Sequence, residues 1–274
     1  TGRWIHKGDY RENVQNIMIG SCQDGDMDVH EEVIKPNVVE FGADSVPSLK
    51  SLMKFIPTDK LWPPDWDVWQ YWGLFYYNQF RRAKTELGDS LEAFIYNTQK
   101  YEALVVKEQI ELLRQKKYQP VCSMYLYYWS DACPLMGSGL FDYYREPYQV
   151  YESMKAVYTE VLISLEWNEE PHVIGRPKKY IRGDQFAGKI WVTNDHFHSI
   201  PDAKIFWCIT DTEGNRVKEK TFTLDLREDS AEVVDTIKWK IPEDYVGEYK
   251  ISMCVEDGTG NILSRNSTVI MATE

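Results

Sequence analysis

One glutamate stands where an apolar strand breaks off. Ile34, Val38 and Val39 are apolar and β-branched, and after Glu40 the chain turns polar through Gly42-Ala43-Asp44-Ser45-Val46-Pro47. Apolar surroundings resist a carboxylate's charge, so a glutamate there needs hydrogen bonds, a cation or a catalytic task. In a (β/α)8 barrel the C-terminal ends of the strands are where reacting groups collect. A carboxylate in that place can act as a nucleophile. A solvated glutamate capping a strand end is the alternative that spacing alone leaves open.

Other constellations fail on spacing. An EF-hand loop begun at Asp24 would need Gly where Val29 stands and Glu where Lys35 stands. His30-Glu31-Glu32 lacks the second histidine of a zincin, because Ile34 occupies that place. His196 and His198 sit two apart in a loop without further ligands, which suits solvent better than a metal. No metal and no cofactor is expected.

The elements around Glu40 read as strand, helix, strand. Ser48 to Ile56 is predicted as a short helix capped by Ser48 and ended by Pro57. Leu61 to Trp72 carries four tryptophans about a double proline, a long loop whose rings either cover their own core or wall a sugar pocket. Trp69 and Trp72 are the candidates for the second role. Leu74 to Leu87 and Ser90 to Arg114 read as two helices divided by Gly88-Asp89, the second with apolar residues at helical spacing. Val121 to Trp129 is predicted as a second buried strand, parallel to the first, and Tyr148 to Tyr158 as a further helix. From Val161 the period changes. Alternating runs near 189–193, 204–210, 220–224, 233–241 and 248–255 are separated by Gly-Asn and Asp-Gly turns, as in an immunoglobulin-like sandwich.

These motifs carry a resemblance. Val39-Glu40-Phe41-Gly42 with Ser45 and Pro47 behind it resembles the nucleophile motif of glycoside hydrolase family 2. It is most similar to the β-mannosidases and exo-acting relatives, with Val39 where they carry Ser. Trp129, Asp131 and Pro134 resemble the end of that family's last barrel strand, with Tyr127, Ser130 and Cys133 in place of its Trp, Asn and second Trp. Gln99, Glu111 and Arg114 sit as in the family's helix, where they serve packing. The histidine that relatives usually place in the tryptophan loop is replaced here by Tyr71-Trp72.

The resemblance implies the C-terminal part of a TIM barrel over 1–158, then an immunoglobulin-like sandwich over 159–274: α/β followed by all-β. It implies a retaining exo-β-glycosidase acting on β-mannosides or related sugars, with Glu40 as nucleophile and Trp129, Asp131 and His30 (with Asp28) at the sugar site. The family's acid/base glutamate follows an Asn at an earlier strand end. The one Asn168-Glu169 pair falls after the barrel helix. A fragment of a larger hydrolase is therefore expected, its missing N-terminal part being the partner that would restore activity. A non-catalytic carbohydrate-binding or scaffold protein is the reading from another class.

Composition narrows the partners. The net charge of −12 disfavours nucleic acid and anionic membranes. No apolar run of membrane-spanning length occurs. Ten Trp and 18 Tyr supply flat apolar rings suited to sugar faces. The five scattered cysteines are expected as free, buried thiols, and Asn266-Ser267-Thr268 as a chance sequon. The chain begins without a signal peptide or an initiating Met, so it reads as the middle of something and fixes no compartment.

Overall fold

The protein is described by a computed structural model over residues 36–73, 86–167 and 178–274. The predicted helix at 74–87 falls almost wholly outside the described residues; its last two, Glu86 and Leu87, are not helical. The expected loop over 1–33, with Asp28 and His30, and Asn168-Glu169 also lie outside them. The chain divides into two compact units. One holds the described residues 36–109 and 120–155; the other holds 110–119, 156–167 and 178–274.

In the first unit, strand β1 (Asn37–Phe41) carries Glu40 in its fourth position. Helix α1 (Leu49–Leu52) starts at Ser48, whose hydroxyl accepts the Ser51 N–H at 3.3 Å. It is shorter than the predicted span because the chain loosens into turns before Pro57. Helix α2 (Trp66–Tyr71) is capped by the Asp65 carboxylate. The long helix α3 (Leu91–Gln115) follows, then β2 (Ser123–Leu126) and α4 (Val150–Val157). The pair β1–β2 is parallel, with Asn37 opposite Ser123 and Phe41 opposite Leu126. Parallel neighbours need a crossover, and α3 lies in it. Strand β2 stops at Leu126 rather than Trp129, because beyond Tyr127 the backbone bonds Ser138 and Leu140 of the loop that follows.

The second unit is a β-sandwich. Its strands are β3 (Val161–Trp167), β4 (Lys178–Ile181), β5 (Gln185–Asn194), β6 (Ile200–Thr210), β7 (Arg216–Leu226), β8 (Ser230–Lys240), β9 (Gly247–Glu256) and β10 (Ile262–Thr273). One sheet has the order β4-β10-β9-β6-β7, the other β3-β5-β8. All pairs are antiparallel except β4 with β10. The alternation is plain in β9, where Tyr249, Ile251, Met253 and Val255 are buried. They meet Phe186, Trp207, Ile237 and Trp239 in one core. The hairpins β6–β7 and β9–β10 close by the same chemistry. Asp211 accepts the N–H groups of Glu213 and Asn215, and Asp257 those of Thr259 and Asn261. Gly214 and Gly260, at φ of +86° and +90°, take the left-handed position each turn needs.

The last turn of α3 belongs to this unit. Arg114, 6 % exposed, donates to the carbonyls of Val157, Thr159 and Glu160 and to Asp195. Gln115 donates to Ser164 Oγ at 3.0 Å. Asn266 donates to Glu111 and to the Ile163 carbonyl, so the sequon's amide is already committed. Four cysteines are described and all are free, but Cys122 and Cys133 are exposed, not buried. They sit just before β2 and in the loop after it, where no apolar layer covers them.

Candidate functional site

Strands β1 and β2 run side by side and release their chains at the same end. The continuations interlock. The Tyr127 N–H donates to the Phe41 carbonyl at 2.9 Å, and the Ser45 N–H to the Gly137 carbonyl at 3.0 Å. The Ser138 hydroxyl donates to Asp44. Gly42 makes the closest approach, since a Cβ there would lie 2.9 Å from the Tyr127 carbonyl oxygen. A side chain at residue 42 would push the two strand ends apart. The turn after Glu40 and the loop after β2 thus form one surface.

The aromatic candidates separate. Trp129 is 69 % exposed, its ring supported by Phe141 at 5.6 Å between centroids. It offers an open face. Trp72 is half-buried, edge-on to Phe55 at 5.1 Å and to Tyr71 at 5.2 Å, and its carbonyl accepts the Met136 N–H. That bond ties the tryptophan segment to the loop after β2. Trp69 is fully buried. Its indole N–H donates to the Lys60 carbonyl at 2.9 Å, and its ring packs on Phe94 and Trp66. With no face open, Trp69 is core rather than sugar wall. Trp62 and Trp66 also meet Phe94, so most of the tryptophan cluster covers helix α3.

Asp131 also moves out of the sugar-binding set. It is 1 % exposed, accepting the Tyr148 hydroxyl at 2.8 Å and the Gly139 N–H at 3.2 Å. Its carboxylate fills the loop between β2 and Leu140. A Cβ at Gly137 would collide with it, and one at Gly139 would stand 2.8 Å from it. Burial pushes the Asp131 carboxyl up to about 6, against the opposing pull of Tyr148, Tyr128 and Gly139. It organises the loop that presents Trp129.

Sequence reasoning missed Glu102. It lies on α3, fully buried, and accepts the Ser45 hydroxyl at 2.6 Å. Burial holds its carboxyl well above the usual range; the Ser45 bond opposes this, and Asp44 and Asp131 add to it. The signal was available: Thr98, Glu102 and Gln109 recur at helical spacing on a buried face, where apolar residues belong. Glu40 itself is placed by its strand, and His30 lies outside the described residues. Among the described residues no group of three or more His, Cys, Asp or Glu is disposed to hold a metal ion.

No family model matches the chain, and no curated protein does. Solved structures do. The β-D-mannosidase from Dictyoglomus thermophilum superposes with a TM-score of 0.70 at 17 % identity, over 93 % of this chain and 28 % of that one. The fold is shared with exo-acting β-glycosidases. The Amycolatopsis orientalis exo-chitosanase CsxA gives a TM-score of 0.61 at 14 % identity, over 86 % of this chain and 27 % of that one. A single-substitution variant of that enzyme complexed with PNP-β-D-glucosamine gives 0.63 at 14 % identity, over 92 % and 29 %. The chain spans less than a third of each of these enzymes. Among the described residues no helix is long and apolar enough to cross a membrane.

Proposed function

We propose that this chain is part of a retaining exo-β-glycosidase of glycoside hydrolase family 2, acting on terminal β-mannosides or related sugars, with Glu40 as nucleophile. The observation that carries the reading is the parallel β1–β2 pair. It puts the Glu40 strand end and the Trp129 loop at one end of one sheet, in a fold that exo-β-glycosidases share. On this reading residues 1–158 are the C-terminal part of a TIM barrel and 159–274 an immunoglobulin-like domain. The strand order β4-β10-β9-β6-β7 over β3-β5-β8, with β4 parallel to β10, supports the latter.

In this chemistry the Glu40 carboxylate attacks the anomeric carbon, and the bond to the leaving oxygen breaks. A second carboxyl protonates that oxygen and later activates the water that frees the sugar. The reading assigns the second carboxyl to the part of such an enzyme that this chain does not span. Trp129 supplies an aromatic face for the sugar ring, and Trp72 anchors the rim. The partner is a carbohydrate, with no cofactor in the reaction.

The test is a mechanism-based label. Treating the 274-residue chain with 2-deoxy-2-fluoro-β-D-mannosyl fluoride needs no general acid, because fluoride leaves unaided. Peptide mass spectrometry is expected to find the glycosyl ester on Glu40. An ester on Asp44 or Asp131, or none at any residue, overturns the assignment.

A further inference from the structure

The turn that follows Glu40 has no regular structure of its own, yet several of its polar groups are hydrogen-bonded. Most of the partners come from one face of α3. Gln109 donates to the Gly42 carbonyl at 3.3 Å, and Gln99 donates to the Val46 carbonyl at 2.8 Å. The Thr98 hydroxyl accepts the Val46 N–H at 3.4 Å. Glu102 takes the Ser45 hydroxyl at 2.6 Å. Thr98, Glu102, Gln109, Ser45 and Val46 are all fully buried. A rigid helix thus grips, between Gly42 and Val46, a turn whose other side is bonded to the loop after β2.

Glu102 differs from its neighbours on that face. Thr98, Gln99 and Gln109 are neutral and bond backbone, whereas Glu102 holds a side-chain hydroxyl with a group that can ionise. Its Oε1 has no hydrogen-bond partner, and no cation pairs with it among the described residues. The titratable groups that face it are Asp44 from the turn, Asp131 from the loop after β2, and Tyr148. Two are carboxyls and the third a phenol, so none would compensate a negative charge. A buried carboxylate in that company costs far more than a carboxylic acid.

We propose that Glu102 is a positioning residue for Glu40: held as a neutral acid, it fixes Ser45 and with it the turn that sets where strand β1 ends. Glu102 touches no sugar in this scheme. Its catalytic half rests on the reading of Glu40 as nucleophile, and its structural half stands on the geometry alone. Ionising Glu102 places a charge against Asp44 and Asp131 and releases the turn. The clamp therefore weakens as pH rises.

Two readouts on the 274-residue chain test this: hydrogen–deuterium exchange of peptides covering 41–47, corrected for intrinsic rates, and the rate of Glu40 labelling by 2-deoxy-2-fluoro-β-D-mannosyl fluoride. Glu102→Gln stays neutral and keeps an acceptor for Ser45. It is expected to retain protection and labelling near pH 6 and to lose the wild-type decline at higher pH. Glu102→Ala is expected to exchange faster by about tenfold in that turn, the scale of one lost buried hydrogen bond, and to label correspondingly more slowly. Ser45→Ala removes the held hydroxyl without removing the acid. It is expected to release the turn alike, after which Glu102→Gln adds nothing, and it serves if Glu102→Ala does not fold. Unchanged protection in both Glu102→Ala and Ser45→Ala overturns the proposal, and so does a Glu102→Gln protein that behaves as Glu102→Ala at pH 6. Lost protection with an unchanged labelling rate overturns the positioning role. A wild-type chain that takes no label, while Glu102→Ala still loses protection, refutes the nucleophile reading and upholds the clamp.

Discussion

Replacing Asp131 by asparagine separates the charge of that side chain from its shape. Asp131 is 1 % exposed, and burial lifts its carboxyl from an ordinary 3.8 to about 6. The folded protein therefore binds this proton more tightly than the unfolded chain does. The resulting stabilisation is complete below about pH 4 and is lost as pH rises to about 6. The size of the loss is about 3 kcal/mol, taking 1.36 kcal/mol per tenfold change in proton affinity. The amide of the Asp131→Asn variant cannot ionise, so that protein should lack the loss. Urea unfolding of both proteins at intervals from pH 4 to pH 8 gives the difference, in which titrating groups remote from Asp131 cancel. The wild type is expected to fall relative to Asp131→Asn by about 3 kcal/mol over that range, a midpoint shift of about 1 M urea. The offset at pH 4 reports how well an amide serves Tyr148 and Gly139, and it leaves the slope untouched. A difference that stays flat, or a wild type that gains on the variant as pH rises, refutes the account of Asp131 as a carboxyl held against its charge.

The two tryptophans that the structure tells apart should behave oppositely. Trp69→Ala is expected to cost about 3–5 kcal/mol by urea unfolding, as for a large buried ring, while Trp129→Ala costs under about 1 kcal/mol and slows the labelling of Glu40. Arg114→Met leaves the Val157, Thr159 and Glu160 carbonyls without their donor, and unfolding of the sandwich is expected to come about 3–5 kcal/mol easier. Circular dichroism of the β signal would follow it; a loss below about 1 kcal/mol would mean that those carbonyls find other partners.

Much of the molecule could be read from residue order. The bounds of α3 are legible to within a residue because Ser90 caps its start, its hydroxyl accepting the Ala93 N–H, and its apolar spacing is regular. The sandwich strands near 189–193 and 204–210 are legible because one face of each is buried and the period is two. What could not be read is which way a polar or aromatic group faces. Trp69 and Trp129 are the same residue in similar company, and only the fold buries one under Phe94 and leaves the other open. Asp131 looks like a ligand at a strand end until Gly137 and Gly139 are seen to wrap it. Strand β10 hides behind Ser264 and Asn266, polar residues whose partners lie on other elements.

The end of α3 has a consequence for how such a chain can be divided. Residues 110–119 lie well before the sandwich strands begin, yet they fold with them: Gln115 meets Ser164, Thr193 meets the Arg114 carbonyl, and Lys117 pairs with Asp195 and Asp229. A protease nick or a gene junction near residue 158 would cut at the apparent border and carry off a sandwich without this piece. Glu111, Arg114 and Gln115 would stay behind, and Asn266, Asp195 and Ser164 would each lose a partner. The sandwich is therefore a poor candidate for shuffling as an independent cassette. Inheritance of this segment as one block, helix and sandwich together, is the outcome that its hydrogen bonds favour.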